Sequence, residues 1–460
     1  MPITLLFAAI FLLAAGAFFS GRRHSLAVVG GSIRQLHSLP GYYGWYNFAW
    51  CLLPALAVLL AWLIVQPIIV DSLVHARLPE AVKAQSADRI ALFMTDVRNL
   101  ATGNIVSQTP SAEAQALAQF RNSAVATGNI AMSAVVLALA AFGLWWGRRS
   151  IAADFRARNK VERLVRTGMI VCSLIAILTT AGIVLSLVFE SYRFFAKVSI
   201  FEFLFGLDWS PQVAIREGQV GSSGAFGAVP VFAGTILIML IAMTIAVPVG
   251  LFAAVFLSEY ATPRSRTVIK PLLEILAGIP TVVYGFFAAL TVAPFFRQSG
   301  SLLGLDVASE SALAAGIVMG VMIIPFVSSL SDDVINSVPQ SLRDGSYGLG
   351  ATRSETIRQV VLPAALPGIV GAVLLAISRA IGETMIVVMA AGFAANLTAN
   401  PLEAVTTVTV QIATLLVGDQ EFDSPKTLAA FALGLVLFVI TLCLNIIALR
   451  TVRKYREKYD

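Results

Sequence analysis

Apolar runs of about 20 residues recur along this 460-residue chain, and no other feature narrows its fold as much. A helix of that length crosses roughly 30 Å of hydrocarbon, the thickness of a bilayer core. The runs lie at about 3–19, 48–70, 128–147, 168–189, 231–257, 271–296, 312–330, 364–392 and 427–450, which predicts about nine spans. Hydrophobic residues make up 58% of the chain and charged residues only 13%, where a soluble domain carries about 25% charged residues. In hydrocarbon each backbone polar group needs a partner within the chain, so an all-α, polytopic integral membrane protein is expected. The first run lacks a basic segment before it and an A-x-A pattern after it, and reads as a retained helix rather than a signal peptide.

The net charge of +6 does not point to nucleic acid, because the basic residues gather at the ends of the apolar runs. There they set orientation and meet anionic lipid headgroups. Arg22, Arg23 and Arg34 follow the first run, Arg148 to Arg166 the third, and Arg264, Arg266 and Lys270 the fifth. Arg450 to Lys458 form the tail. All four groups fall on the cytoplasmic side if the N-terminus is outside and the C-terminus inside, and so do Arg343, Arg353 and Arg358.

The chain divides near residue 160. Residues 1–160 hold three spans and an extracytoplasmic segment, 71–127, in which Ile90, Leu92, Phe93, Met94 and Val97 share a helical face with Ile105 beyond. That segment is either a small helical module or a loosely ordered linker. Residues 161–460 hold six spans. Between the fourth and fifth, SYRFFAKVSIFEFLFGLDWSP predicts an interfacial helix with Trp209 and its phenylalanines at headgroup depth. The Gly218–Gly227 stretch after it has no Lys followed by Ser or Thr at phosphate-loop spacing, and reads as a flexible loop. Cys51, Cys172 and Cys443 sit inside apolar runs as small hydrophobes, and His24, His37 and His75 stand singly, so neither a metal site nor a catalytic constellation is expected.

Two polar features interrupt the apolar runs. Arg379 and Glu383, in Ser378-Arg379-Ala380-Ile381-Gly382-Glu383-Thr384, are four residues apart near the middle of the eighth run. On a helix they share a face and can pair. Each charge costs about 2.5–3.5 kcal/mol at that depth. The pair is therefore either a structural ion pair or part of a pathway, where a guanidinium suits a tetrahedral oxyanion through forked hydrogen bonds. Gly278, Pro280, Tyr284 and Gly285 weaken the sixth run, as a packing kink or as a hinge lining a path. Glu274 lies close to its cytoplasmic end, in reach of the interface.

The polar segment DGSYGLGATRSETIRQVVLP, 344–363, lies between two long apolar runs. Asp344, Gly345 and Ser346 are followed after three residues by Gly350, then after nine by Val360, one further residue, and Leu362-Pro363. Small residues here allow another protein to approach closely, and Pro363 is expected to end a short helix and turn the chain back to the membrane. The spacing resembles the E-A-A coupling loop of ABC importer permeases, with Asp, Gly and Ser in place of Glu-Ala-Ala.

With LDWSP at 207–211, FGAVPVFAGT at 226–235, EYATPRSRTVIKPLLEILAGIPTVVYGFF at 259–287 and SRAIGETMIVVMAAG at 378–392, the chain resembles the phosphate ABC transporter permeases of the PstC type over about 165–460. The resemblance implies a type I ABC importer permease core of six helices that imports inorganic phosphate by alternating access in the bacterial inner membrane. It implies a phosphate path at Arg379 and Glu383 with Ser378 and Thr384 beside them. Implied partners are a PstA-type permease, a PstB-type ATPase dimer that binds ATP and Mg, and an extracytoplasmic phosphate-binding protein. The chain itself would bind no cofactor and would not be an enzyme. Residues 1–160 fall outside the usual core, as an added module for assembly or regulation. The alternatives are a permease for molybdate or sulfate and an ion-driven secondary transporter, for which paired repeats and several intramembrane carboxylates are expected.

Overall fold

The computed structural model describes residues 2–104, 111–211, 224–417 and 423–456. Ile105 and the glycine-rich stretch up to residue 223 lie outside the described residues. Among those described, 8 helices are long and apolar enough to cross a membrane, and 9 if one sharply bent pair counts as a span. The chain forms two compact units, Met1–Ile177 and Leu178–Asp460. The sequence-based boundary near 160 falls within an unbroken helix, Ala157–Phe195, that runs from one unit into the other.

The first unit contains α1 (Ile3–Val28), α2 (Pro40–Ala76), α3 (Glu80–Lys83), α4 (Ala87–Thr102), α5 (Ala112–Arg149) and the start of α6 (Ala157–Phe195). Lipid tails are as apolar as leucine, so helices associate in a bilayer through close backbone approach and hydrogen bonds. The α1–α2–α5 bundle uses both. Gly21 and Gly143 lie against the backbone of Tyr43 and Trp50. Buried Asn47 donates from Nδ2 to the Ala17 carbonyl at 2.9 Å. Leu6, Ile10, Leu59, Met132 and Val136 fill the space between.

At 37 and 38 residues, α2 and α5 outrun the hydrocarbon. Beyond it their polar ends, with α3 and α4, enclose a second core of Val70, Val74, Leu78, Val97 and Leu117. The described part of 71–127 is thus a packed helical module and not a linker. Ile90, Phe93 and Met94 pack against this core as the periodicity requires. Leu92 points outward instead.

The second unit continues with α7 (Ile200–Phe205), β1 (Trp209–Ser210), β2 (Ala225–Phe226), α8 (Val229–Val255), α9 (Pro263–Gly278), α10 (Thr281–Phe287), α11 (Ala293–Leu302) and α12 (Ala312–Ser337). Then follow α13 (Gln340–Gly348), α14 (Arg353–Thr356), α15 (Leu362–Ile381), α16 (Met385–Ala390), α17 (Val408–Leu415) and α18 (Pro425–Arg456). Helix α12 is central. Its Ala315, Met319 and Ile323 pack on Ile238, Ala242 and Ala246 of α8. A Cβ at Gly320 would stand 2.9 Å from the Ala242 carbonyl oxygen, so a side chain there would force the two helices apart.

Part of the aromatic stretch before α8 is core and not interface: Phe194, Phe203, Trp209 and Phe226 are buried, whereas Phe201 and Phe205 of α7 are exposed. The β1–β2 pairing folds Trp209 over Phe226, and the indole Nε1 donates to Gln411 Oε1 at 2.9 Å, which removes its need for the headgroup region. The sixth run breaks at Ile279-Pro280 into α9 and α10–α11, which lie at 85° to each other, a sharper turn than a packing kink. The eighth run likewise ends its helix at Ile381, and the chain passes through Gly382-Glu383-Thr384 before α16 begins.

Candidate functional site

A cavity of about 290 Å³ opens between α9, α12 and α15. Lys270, Glu274, Ser328, Ser329, Asp332 and Arg379 are its polar lining, with Met322, Pro325 and Phe326 on the apolar side. Arg379 stands with its guanidinium carbon 5.6 Å from the centre of the Phe326 ring, a cation–π contact that orients the charge without neutralising it.

Arg379 and Glu383 do not pair. The helix ends between them, and Glu383 instead accepts backbone hydrogen bonds from Met385 and Ile386 at 3.0 and 3.5 Å, at the start of α16. A carboxylate at that position satisfies N–H groups that a helix start leaves open. The Glu383 carbonyl accepts from Thr409 Oγ1 at 2.7 Å, which ties the break to α17. Ser378 donates to Asn445 Oδ1 on α18 at 3.0 Å, and Thr384 is the residue before α16. Of these four candidates, only Arg379 lines the cavity.

The cavity floor carries a buried acid. Asp332, 1% exposed, accepts from Arg266 at 2.8 and 3.0 Å, from Lys270 at 3.1 Å and from Asn336 at 2.8 Å. These bonds anchor the basic end of α9 to α12. The segment Thr262-Pro263-Arg264-Ser265-Arg266 marks that end only as cytoplasmic charge, and the sequence reading missed Asp332, which lies just past the apolar run 312–330 beside Asp333.

At the α9–α10 break, Ile279 is extended and Pro280 precedes α10. Tyr284 hydroxyl donates across the break to the Leu276 carbonyl at 2.8 Å, supplying a partner that the bend takes away. Gly285 lets α10 meet α16: a Cβ there would come within 2.8 Å of Met389 Sδ. Gly278 faces open space and ends α9.

The 344–363 segment is a helix pair joined by a tight turn. Asp344, Gly345 and Ser346 lie in α13, where Asp344 accepts from Gln340 at 3.1 Å. Gly350 has φ +84°, and the bonds from Gly350 N to Tyr347 O and from Ala351 N to Ser346 O close a Schellman turn. Thr352 and Glu355 then form a capping box that starts α14. Ser346 and Thr356 hydroxyls meet at 2.9 Å and hold the two arms together. Leu362-Pro363 does not end a helix, as the sequence suggested. Residues 353–381 form one helix, and a π-helical turn at Ile357–Val361 absorbs the proline. Gly350, not Pro363, reverses the chain.

What fixes α13 in place is a pair the sequence did not join. Arg343 donates to Glu259 Oε1 at 2.9 and 3.2 Å, and to the carbonyls of Val338 and Ile335 at 2.6 and 2.8 Å. Both side chains are buried, Glu259 on a π-helical turn that extends α8. Charge and an 84-residue separation gave no signal of it.

Comparison with known proteins adds two matches to family models. Residues 7–179 match a family described as phosphate ATP-binding cassette transporter, and residues 246–457 match the binding-protein-dependent transport system inner membrane component. A phosphate transport system permease protein PstC from Mesorhizobium japonicum is 32% identical over 69% of this chain and 96% of its own length. A probable ABC transporter permease protein, YqgH, from Bacillus subtilis is 37% identical over 62% of this chain and 89% of its own. PstC 1 of Mycobacterium tuberculosis is 35% identical over 55% and 81%. Among solved structures, an inward-facing form of the MetNI methionine ABC transporter is 20% identical, with a TM-score of 0.36, covering 50% of this chain and 94% of that one.

Proposed function

Since this chain belongs to the PstC-type permeases of ABC phosphate importers, multi-pass proteins of the inner membrane, we propose that phosphate crosses through the α9–α12–α15 cavity and that α13 receives the push from a partner ATPase. The observation that carries this reading is Arg379: a guanidinium on the wall of a cavity, with no carboxylate partner among the described residues, set against an apolar ring. A charge held in that state is suited to an oxyanion that arrives and leaves.

The chain is a permease subunit and not an enzyme, and permeases of this kind work with an ATPase and a substrate-binding protein. The specific partners in our reading are a PstA-type permease, a PstB-type ATPase dimer holding ATP and Mg, and an extracytoplasmic phosphate-binding protein. Closure of the ATPase dimer moves α13, and the buried Arg343–Glu259 contact passes the motion to α8. The break at Ile279-Pro280 gives α9 a place to turn against α10. The N-terminus lies outside and the C-terminus inside, in keeping with the basic residues after α1, α5 and α8. The first unit is an accessory module for assembly or regulation.

The test is uptake of radiolabelled phosphate at micromolar concentration in cells with and without this chain, with sulfate and molybdate as competitors. Loss of phosphate uptake on deletion, unaffected by the competitors, is expected. Unchanged phosphate uptake beside loss of another oxyanion's uptake would keep the permease and discard the substrate.

A further inference from the structure

The cavity wall carries a second group without a partner. Glu274 lines it from α9, and among the described residues its carboxylate makes no ion pair or hydrogen bond. Asp332, the other acid on the wall, is fully engaged by Arg266, Lys270 and Asn336.

Arg266 and Lys270 offset Asp332, which leaves Arg379 and Glu274 as the two charges on the wall without a partner among the described residues. Opposed in sign, they hold an anion through the placement of donors and acceptors as well as through charge. Arg379 offers donors. Ionised Glu274 offers acceptors only. It repels any anion whose near oxygens are bare, and bonds one that presents a hydroxyl. Inorganic phosphate keeps at least one hydroxyl at neutral pH, whereas sulfate keeps none.

We infer that Glu274 is a specificity-determining residue of the permease, accepting a hydrogen bond from the protonated oxygen of the transported anion while Arg379 holds its bare oxygens. The cavity thus selects hydroxylated tetrahedral oxyanions, phosphate and arsenate, and rejects proton-free ones of the same shape and charge. This second filter is the permease's own, separate from the choice made by a binding protein. It rests on the cavity being part of the phosphate path.

The experiment measures retention of radiolabelled phosphate by the purified transporter complex, without its binding protein, in a scintillation proximity assay. Unlabelled phosphate, arsenate, sulfate and monofluorophosphate are the competitors. A site that hydrogen-bonds a substrate hydroxyl discriminates strongly against analogues that lack it, so in the parent protein sulfate and monofluorophosphate should compete at least about a hundredfold more weakly than arsenate. Displacement by monofluorophosphate as effective as that by arsenate overturns the inference without any substitution. Glu274→Gln replaces an obligate acceptor by a group that also donates, and should bring sulfate to within about tenfold of phosphate. Unchanged discrimination in that variant overturns the inference alone, provided Arg379→Gln has lost phosphate retention. Retention that survives in Arg379→Gln removes the cavity from the path, and the inference with it.

Discussion

Arg343 on α13 and Glu259 at the end of α8 form a buried ion pair, Nη2 to Oε1 2.9 Å, that ties the polar helix between two membrane-crossing helices to a third one. Removing one partner of such a pair leaves a buried charge uncompensated, which costs about 3–5 kcal/mol. Glu259→Leu is therefore expected to lower the unfolding temperature of the detergent-purified complex and to release the ATPase. Adding Arg343→Met should restore part of the thermal stability but not the coupling. Equal melting curves for the parent and Glu259→Leu would show that the pair does not hold α13.

Gly350 sits at φ +84° with nothing within 4 Å of where its Cβ would be. A side chain there strains the backbone by about 1–2 kcal/mol but meets no neighbour. Gly350→Trp should leave the chain folded and in the membrane while the ATPase no longer co-purifies with it. An ATPase that stays bound and coupled would remove α13 and its turn from the docking surface.

Arg379→Gln keeps a planar, polar side-chain end, shortens it and removes the charge. Uptake of phosphate should fall to background, with the complex assembled in normal amount by quantitative blotting. Near-normal uptake would take Arg379 out of the path.

Tyr284 donates to the Leu276 carbonyl across the α9–α10 break. Tyr284→Phe removes one hydrogen bond, worth about 0.5–1.5 kcal/mol, and leaves a carbonyl without its partner. The expected outcome is slower uptake at unchanged assembly, since α9 loses its fixed angle against α10. Initial uptake rates equal to the parent's would show that the angle does not depend on this bond.

The spans were legible because length and apolarity alone decide them, and these are properties of consecutive residues. The small residues of 345–351 were legible for a similar reason: a polar interruption of fixed spacing stands out against apolar flanks. The direction of the chain after each break was not. Gly278-Ile279-Pro280 and Gly382-Glu383-Thr384 announce a weak helix, but the 85° turn at the first depends on what α10 packs against, namely α16 through Gly285. The four-residue spacing of Arg379 and Glu383 promised a pair only on the condition that the helix continued. It ends at Ile381, and the acid turns to the next helix instead. Trp209 was misread because its amphipathic ring suits a headgroup layer and a buried amide partner equally well, and Gln411 lies 202 residues away. Pro363 was misread because a proline's effect depends on whether the preceding turn can widen, which Ile357–Val361 does.

Helix α2 runs unbroken for 37 residues, about 55 Å at 1.5 Å per residue, so nearly half of it stands clear of a 30 Å hydrocarbon layer. Its two ends are geared together. Each residue advances an α-helix by about 100°, and one residue inserted between Ile69 and Val74 would swing Val74 and Leu78 away from Val97 and Leu117 while leaving every contact inside the bilayer as it was. The number of residues in that projecting stretch is thus as fixed as their identity, and the polar module at its tip would come out of register by rotation before it came apart by loss of apolar contact.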